Sequence, residues 1–174
     1  SGCTSLTSVT IKSGTQKIGN SAFENCSSLK SVVIPSGVTD IGTYAFYKCS
    51  NLTSATIPET VGIIGRSAFQ NTGIKTLLIR SGVTDIGASA FRDCVGLTQV
   101  TIPGTVTTIG SYAFEGCTGI KNLTLADGVN NIGSQAFQNC TSIVSINIPS
   151  SVISIGYEAF SSCDSLKSVV IENG

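Results

Sequence analysis

Residues 29–49 read LKSVVIPSGVTDIGTYAFYKC, and variants of this stretch recur along the whole chain. All seven phenylalanines fall at the same point of successive copies, at intervals of 23 residues with one interval of 22. They are Phe23, Phe46, Phe69, Phe91, Phe114, Phe137 and Phe160. A period of about 20 to 50 residues is typical of a solenoid, in which each unit packs only on its neighbours. We therefore predict one solenoid domain over residues 1–174, built from about seven 23-residue repeats. The chain begins and ends inside a repeat, as expected of a fragment of a longer protein.

Each repeat opens with a segment in which apolar and polar residues alternate, as in residues 29–34. This alternation predicts a half-buried β-strand. Counting partial copies, eight such segments begin at Leu6, Leu29, Leu52, Ile74, Leu97, Ile120, Ile143 and Leu166. Stacked at about 4.8 Å, eight strands form a parallel sheet roughly 35 to 40 Å long.

The second half of each repeat follows a Val-x-x-Ile-Gly-x-x-Ala-Phe pattern. Glycine fills its position in every copy, which indicates either a positive φ or a close approach between neighbouring coils. We predict a short helical turn at Ala-Phe and a short second strand or bridge at Val-x-x-Ile. Each coil should bury about seven side chains, namely Leu, Val, Ile, Val, Ile, Ala and Phe.

Cysteine lies three residues after phenylalanine in most copies, with Thr72 in its place once and Cys3 supplied by the preceding unit. One cysteine per repeat produces a line of thiols, whereas a zinc site needs about four ligands that converge on one point. Parallel Cβ directions disfavour disulfides between neighbours, although an occasional bridge stays open. We predict a ladder of buried thiols that act as small apolar groups and weak donors.

The composition argues against several classes of function. Charged residues make up 11% of the chain, its formal net charge is zero, and histidine is absent. Without a cluster of basic residues we expect no nucleic-acid partner. No stretch approaches the roughly 18 apolar residues of a membrane span. Familiar catalytic motifs are also missing, so we predict no enzyme activity, no catalytic residue, no metal site and no cofactor.

The consensus L-x-x-V-x-I-P-x-x-V-x-x-I-G-x-x-A-F-x-x-C resembles the BspA-type leucine-rich repeat, found in surface proteins of host-associated bacteria and some parasitic protists. The resemblance covers the whole chain. Local departures are Thr15 for valine, a residue missing after Thr72, and Lys12, Arg80 and Ala126 for proline. The resemblance implies an α/β repeat solenoid, coiled right-handed, with one parallel β-sheet and short helical turns on its other side. It also implies a location at the cell surface or outside the cell, and attachment to matrix proteins and host cells.

The outward positions of the strands form columns of small, mostly polar side chains, which could be a solvated sheet or a broad, weak contact surface for protein or glycan. The third repeat is irregular around residues 73–80, because it lacks proline, is one residue short and exposes a leucine between two basic residues. If one place binds a partner, we expect it here. The candidate partner-binding residues are Lys75, Thr76, Leu78, Arg80, Gln99 and Asn122.

Three functions compete at this stage. The first is a non-enzymatic repeat domain that mediates protein–protein interaction or adhesion to a host or its matrix. The second is a structural spacer or a module that self-assembles head to tail, because both ends of the stack expose an open coil. The third is an ice-binding face, which is disfavoured because Val33, Leu78, Gln99 and Asn147 interrupt its array of Ser and Thr. The four tyrosines lie near the Ala-Phe turn, where they either cover the back of the stack or form a second contact patch.

Overall fold

The computed structural model describes residues 1–173, which form a solenoid of parallel β-strands. Eight longer strands are β1 (Ser8–Thr10), β3 (Ser31–Val33), β5 (Ser54–Ile57), β7 (Thr76–Ile79), β9 (Gln99–Ile102), β11 (Asn122–Leu125), β13 (Ser145–Ile148) and β15 (Ser168–Ile171). Between them lie seven two-residue strands: β2 (Lys17–Ile18), β4 (Asp40–Ile41), β6 (Ile63–Ile64), β8 (Asp85–Ile86), β10 (Thr108–Ile109), β12 (Asn131–Ile132) and β14 (Ser154–Ile155). We define a coil as one long strand with the short strand and turn that follow it, and we number the coils one to eight from the N-terminus.

The short strands form one continuous seven-stranded parallel sheet. Each pairs in register with the equivalent strand of the next coil, so that Ile41 lies beside Ile64 and Ile64 beside Ile86. The predicted short strand at Val-x-x-Ile is therefore confirmed, and the one continuous parallel sheet is formed by the short strands and not by the long ones.

The long strands pair only in twos: β1 with β3, β5 with β7, β9 with β11, and β13 with β15. Each break between pairs coincides with a proline. The residue after the long strand is Pro58, Pro103 and Pro149 in coils three, five and seven, and it cannot donate a hydrogen bond to the coil before. We call the resulting breaks, between coils two and three, four and five, and six and seven, the seams.

Coils four, six and eight carry Arg80, Ala126 and Glu172 at the same position. Their N–H groups donate to the carbonyls of the preceding coil at 3.2, 3.0 and 3.0 Å, which extends each paired ladder to four residues. Coil two carries Pro35, and its ladder with coil one is only three residues long. The long strands are therefore paired in two-coil units, and every break between units carries a proline, whereas Pro35 shortens the ladder between coils one and two without breaking it.

The core is a continuous apolar column through the middle of the stack. Successive phenylalanine rings stack with centroids 5.1–5.4 Å apart and planes within 4–13° of parallel. In the inner coils the leucine, valine, isoleucine, alanine and phenylalanine positions of the repeat are almost all buried, as predicted. Removal of one such buried ring should cost about 3 to 5 kcal/mol.

The predicted short helical turns are wrong, because residues 1–173 contain no helix. Two positions of nearly every coil, such as Ser21 (φ 53°) and Asn25 (φ 58°), adopt the left-handed conformation instead. The N–H groups of Ser21, Phe23 and Asn25 each donate to a carbonyl of the next coil at 2.8 Å. Because these donors point along the stack, they cannot form the bonds to the fourth preceding carbonyl that define an α-helix.

The glycine after each buried isoleucine is needed for close approach and not for a positive φ. A Cβ on Gly110, whose φ is ordinary, would lie 2.6 Å from the backbone nitrogen of Ala88 and 2.7 Å from the carbonyl oxygen of Ile86. These are backbone atoms of the neighbouring coil, which cannot move aside as a flexible side chain would. The invariant glycine therefore sets how closely the coils stack at this edge.

We expect Gly110→Ala to lower the free energy of unfolding by about 1 to 3 kcal/mol, the usual range for overpacking. Gly19→Ala is the matched control, because a Cβ there meets nothing within 4 Å. Chemical denaturation of both variants measures the difference. Equal stability of the two variants would contradict the close-approach explanation.

Candidate binding surface on the long strands

The outward-facing side chains of the long strands form an accessible surface, which we call the long-strand face. All six residues predicted to bind a partner are exposed, with Leu78 at 49% despite its apolar side chain. Thr76 and Leu78 project outward from β7, and Gln99 and Asn122 stand at the start of β9 and β11. The sequence therefore identified an accessible set of residues.

A groove of about 360 Å³ lies in this face between β7 and β9, at the seam between coils four and five. Four of the predicted residues line it together: Lys75, Thr76, Leu78 and Gln99. Arg80 and Asn122 do not line the groove, although both remain on or beside the same face. We refer to this feature as the seam groove.

The seam groove opens because hydrogen bonds that close the neighbouring junctions are missing here. Between coils five and six, the Lys121 N–H donates to the Thr98 carbonyl at 2.9 Å. One junction earlier, the equivalent Thr98 N–H has no backbone partner within residues 1–173, and Pro103 has no N–H at all. The carbonyls of Lys75 and Ile79 consequently accept no backbone hydrogen bond within the described residues.

Sequence reasoning missed the other residues that line the groove, Leu77, Ile79, Thr98 and Thr101. Leu77 is only half-buried, whereas Val100 at the equivalent position of the next coil is buried. A partial signal was available, because Pro103 removes one N–H from the ladder between coils four and five. Proline alone does not predict a break, however, because β1 and β3 pair although Pro35 follows β3.

The groove has a positive character. Lys75 lines it and Arg80 follows β7, and neither forms an ion pair within residues 1–173. Within residues 1–173 only two of the ten basic residues form ion pairs: Arg92, which contacts Glu115 at 3.1 Å, and Lys17. The groove thus combines an exposed leucine, an unpaired ammonium group and free backbone donors and acceptors, which suits recognition of an extended partner segment.

The cysteines form the predicted ladder of buried free thiols, except that Cys3 is exposed. From Cys49 onward, each thiol in the ladder donates to the phenylalanine carbonyl of the preceding coil, as Cys49 does to Phe23 at 3.1 Å. Burial raises the pKa of the Cys49 thiol to about 12. Thr72 does not reproduce this bond, because its hydroxyl donates at 2.8 Å to the carbonyl of Phe69 in its own coil, which also accepts from the Cys94 thiol. The described residues place no group of three or more metal ligands together.

The tyrosines lie on the opposite side of the stack from the seam groove, at the Ala-Phe turns. Tyr44 and Tyr47 pack edge to face with ring centroids 5.3 Å apart, and the Lys48 ammonium lies 5.1 Å from the Tyr47 ring centre. Both rings are half-buried, whereas Tyr157 is 72% exposed. Within residues 1–173 no helix is long and apolar enough to cross a membrane.

Comparison with known proteins places this architecture among bacterial repeat proteins. The family model described as BspA type leucine rich repeat region matches residues 1–98 and 84–174, with six copies of the repeat. A leucine rich repeat protein of T. pallidum is 27% identical over 92% of this chain and 78% of its own length, with a TM-score of 0.85. Comparison with curated proteins finds no match.

Two further solved structures are similar. A leucine-rich repeat protein from Eubacterium ventriosum is 30% identical, with a TM-score of 0.82, over 90% of this chain and 43% of its own length. One from Bacteroides ovatus is 29% identical, with a TM-score of 0.63, over 99% of this chain and 57% of its own. The chain thus spans about half the length of these two relatives.

We expect the Thr98 amide to exchange with solvent deuterium much faster than the Lys121 amide, which is its equivalent at an intact junction. The Lys121 N–H is hydrogen-bonded at 2.9 Å, whereas the Thr98 N–H faces the seam. Residue-resolved hydrogen exchange measures both rates in one sample. Equal protection of the two amides would mean that the seam is closed in solution.

Proposed function

The chain belongs to the BspA-type leucine-rich repeat family, and on this premise we propose that it is a non-enzymatic binding module of a cell-surface or secreted protein. The module attaches through its long-strand face to a protein of a host or of its surrounding matrix. The seam groove is the observation that supports this proposal most directly. It brings together four exposed residues from two neighbouring coils around a break in the backbone ladder.

The groove offers the three kinds of contact that an extended polypeptide needs. The N–H and C=O groups left unpaired at the seam between β7 and β9 can hydrogen-bond polar side chains of a partner segment that lies over the groove, and Leu78 supplies an apolar contact. Lys75 favours a partner that carries a carboxylate near the groove. A volume of about 360 Å³ accommodates a short segment, so affinity for one groove alone should be modest.

The double variant Leu78→Asp, Arg80→Glu should abolish most adhesion to immobilised matrix proteins or host epithelial cells. Both substitutions place negative charge beside the groove, and Leu78→Asp also removes its exposed apolar side chain. Val95→Asp is the matched control, because Val95 is 59% exposed but lies in a turn away from the long strands. Unchanged adhesion of the double variant, with the fold intact by circular dichroism, would remove the groove as the binding site.

A second candidate function is head-to-tail self-association through the ends of the stack. All four residues of β15 are exposed, and Val169, Val170 and Ile171 are 50%, 53% and 66% accessible. The outer edge of this strand has no partner within residues 1–173. An apolar strand with a free edge favours pairing with another chain.

The self-association candidate predicts that the sedimentation coefficient rises with protein concentration. Val170→Lys should suppress that rise, because a lysine on an edge strand disfavours pairing between chains. Val33→Lys is the control, since Val33 occupies the same column in coil two, away from either end. A monomer at every concentration reached would eliminate this candidate.

A further inference from the structure

Four lysines occupy one position of the repeat, the residue immediately before the long strand, in every second coil. They are Lys30, Lys75, Lys121 and Lys167. The same position in the intervening coils holds Thr7, Thr53, Thr98 and Val144. We call these four residues the lysine row. It contains four of the ten basic residues of the chain, and each lysine lies in the second coil of a pair of hydrogen-bonded long strands.

The geometry of the row is regular. Because the phenylalanine centroids of neighbouring coils lie 5.1–5.4 Å apart, lysines in every second coil stand about 10 to 11 Å from one another along the stack. All four are exposed, and none forms an ion pair within residues 1–173. The row therefore presents evenly spaced, unneutralised positive charges along one side of the long-strand face.

Avoidance of repulsion explains the spacing but not the missing partners. Lysines in consecutive coils would lie about 5 Å apart, where like charges destabilise a sheet. An acidic residue in the intervening coils would neutralise the repulsion between lysines. The short-strand sheet contains such a pair, because Lys17 contacts Asp40 of the next coil at 3.4 Å. In the lysine row the intervening residues are never acidic, and none of the eight long strands contains an acid.

The spacing discriminates between polyanions. Nucleic acid carries a phosphate about every 3.4 Å along each strand, so each lysine would meet only every third phosphate and two of three would stay unneutralised. An extended acidic peptide presents side chains on one face about every 6.6 to 6.8 Å, which falls out of step with the row after one lysine. A polysaccharide of alternating neutral and acidic sugars places one charge per disaccharide, a repeat close in length to two coils.

We propose that the long-strand face binds a linear acidic polysaccharide with one carboxylate or sulfate per disaccharide, aligned along the stack with one disaccharide to each two-coil unit. This proposal goes beyond the protein-binding function of the seam groove, because Lys30, Lys121 and Lys167 lie outside that groove. Each anionic group pairs with one lysine. The neutral sugars lie against the hydroxyl and amide side chains that begin the long strands, such as Ser31, Thr76 and Asn122.

The test uses hyaluronan oligosaccharides as the acidic probe and dextran as the neutral one, with binding followed by calorimetry at low ionic strength. The triple variant Lys30→Gln, Lys121→Gln, Lys167→Gln should bind hyaluronan about a hundredfold more weakly, at roughly fivefold per lysine near an anionic surface. Its slope of log affinity against log salt should fall by about three. The matched control Lys17→Gln, Lys48→Gln, Arg66→Gln removes the same charge elsewhere and should bind like the parent protein.

A second variant separates spacing from charge. Exchanging residues at two adjacent coils, Thr98→Lys with Lys121→Thr, preserves the net charge but breaks the interval of about 10 to 11 Å in the row. We expect this variant to lose about fivefold in affinity, as if one lysine were absent.

Any of four results would overturn the proposal. These are no saturable hyaluronan binding, equal binding of dextran, equal weakening in the control triple variant, and parent-like binding by the exchanged variant. Tighter binding of poly-glutamate than of hyaluronan would assign the row to an acidic polypeptide instead. Because the triple variant leaves Leu78 and Arg80 in place, its adhesion to protein partners reports separately on the seam groove.

Discussion

The fixed distance between neighbouring coils is the constraint on which the rest of the structure depends. Backbone hydrogen bonds between equivalent residues of successive coils hold this distance in two strand ladders and at the Ala-Phe turns. Three features of the repeat follow from it. Phenylalanine rings stack at 5.1–5.4 Å, glycine is required where backbones meet, and left-handed residues turn their N–H groups toward the next coil. A coil that drifted from this spacing would lose all three kinds of contact together.

The breaks at proline interrupt the pairing of the long strands but leave the distance between coils unchanged. The short-strand sheet and the phenylalanine column run uninterrupted through every junction, so the stack holds together where the long strands separate. At the seam between coils four and five the freed backbone groups lie beside a groove in the long-strand face, which polar side chains line together with Leu77 and Leu78. Local weakness in one ladder can thus create a recognition surface, because the other ladder and the core supply the stability.

Most of the fold could be predicted from the sequence, since the 23-residue period, the strand alternation and the buried column are direct consequences of which residues repeat. The left-handed turns that replace the expected helical turns could not be predicted. Ser21 and Tyr44 give no local signal for this conformation, because only the next coil stabilises it. The candidate residues around Leu78 were identified because their repeat lacks proline and is one residue short. Leu77 and Thr98 were missed, because their exposure depends on Pro103 in a neighbouring coil and not on their own repeat.

A crystal structure of the chain tests the central claim most directly, through the distances between equivalent residues of successive coils. The account predicts phenylalanine centroids 5.1–5.4 Å apart in one unbroken column, with long strands paired in twos and short strands paired throughout. Phenylalanine rings in solvent, or long strands that pair continuously across Pro58, Pro103 and Pro149, would contradict it.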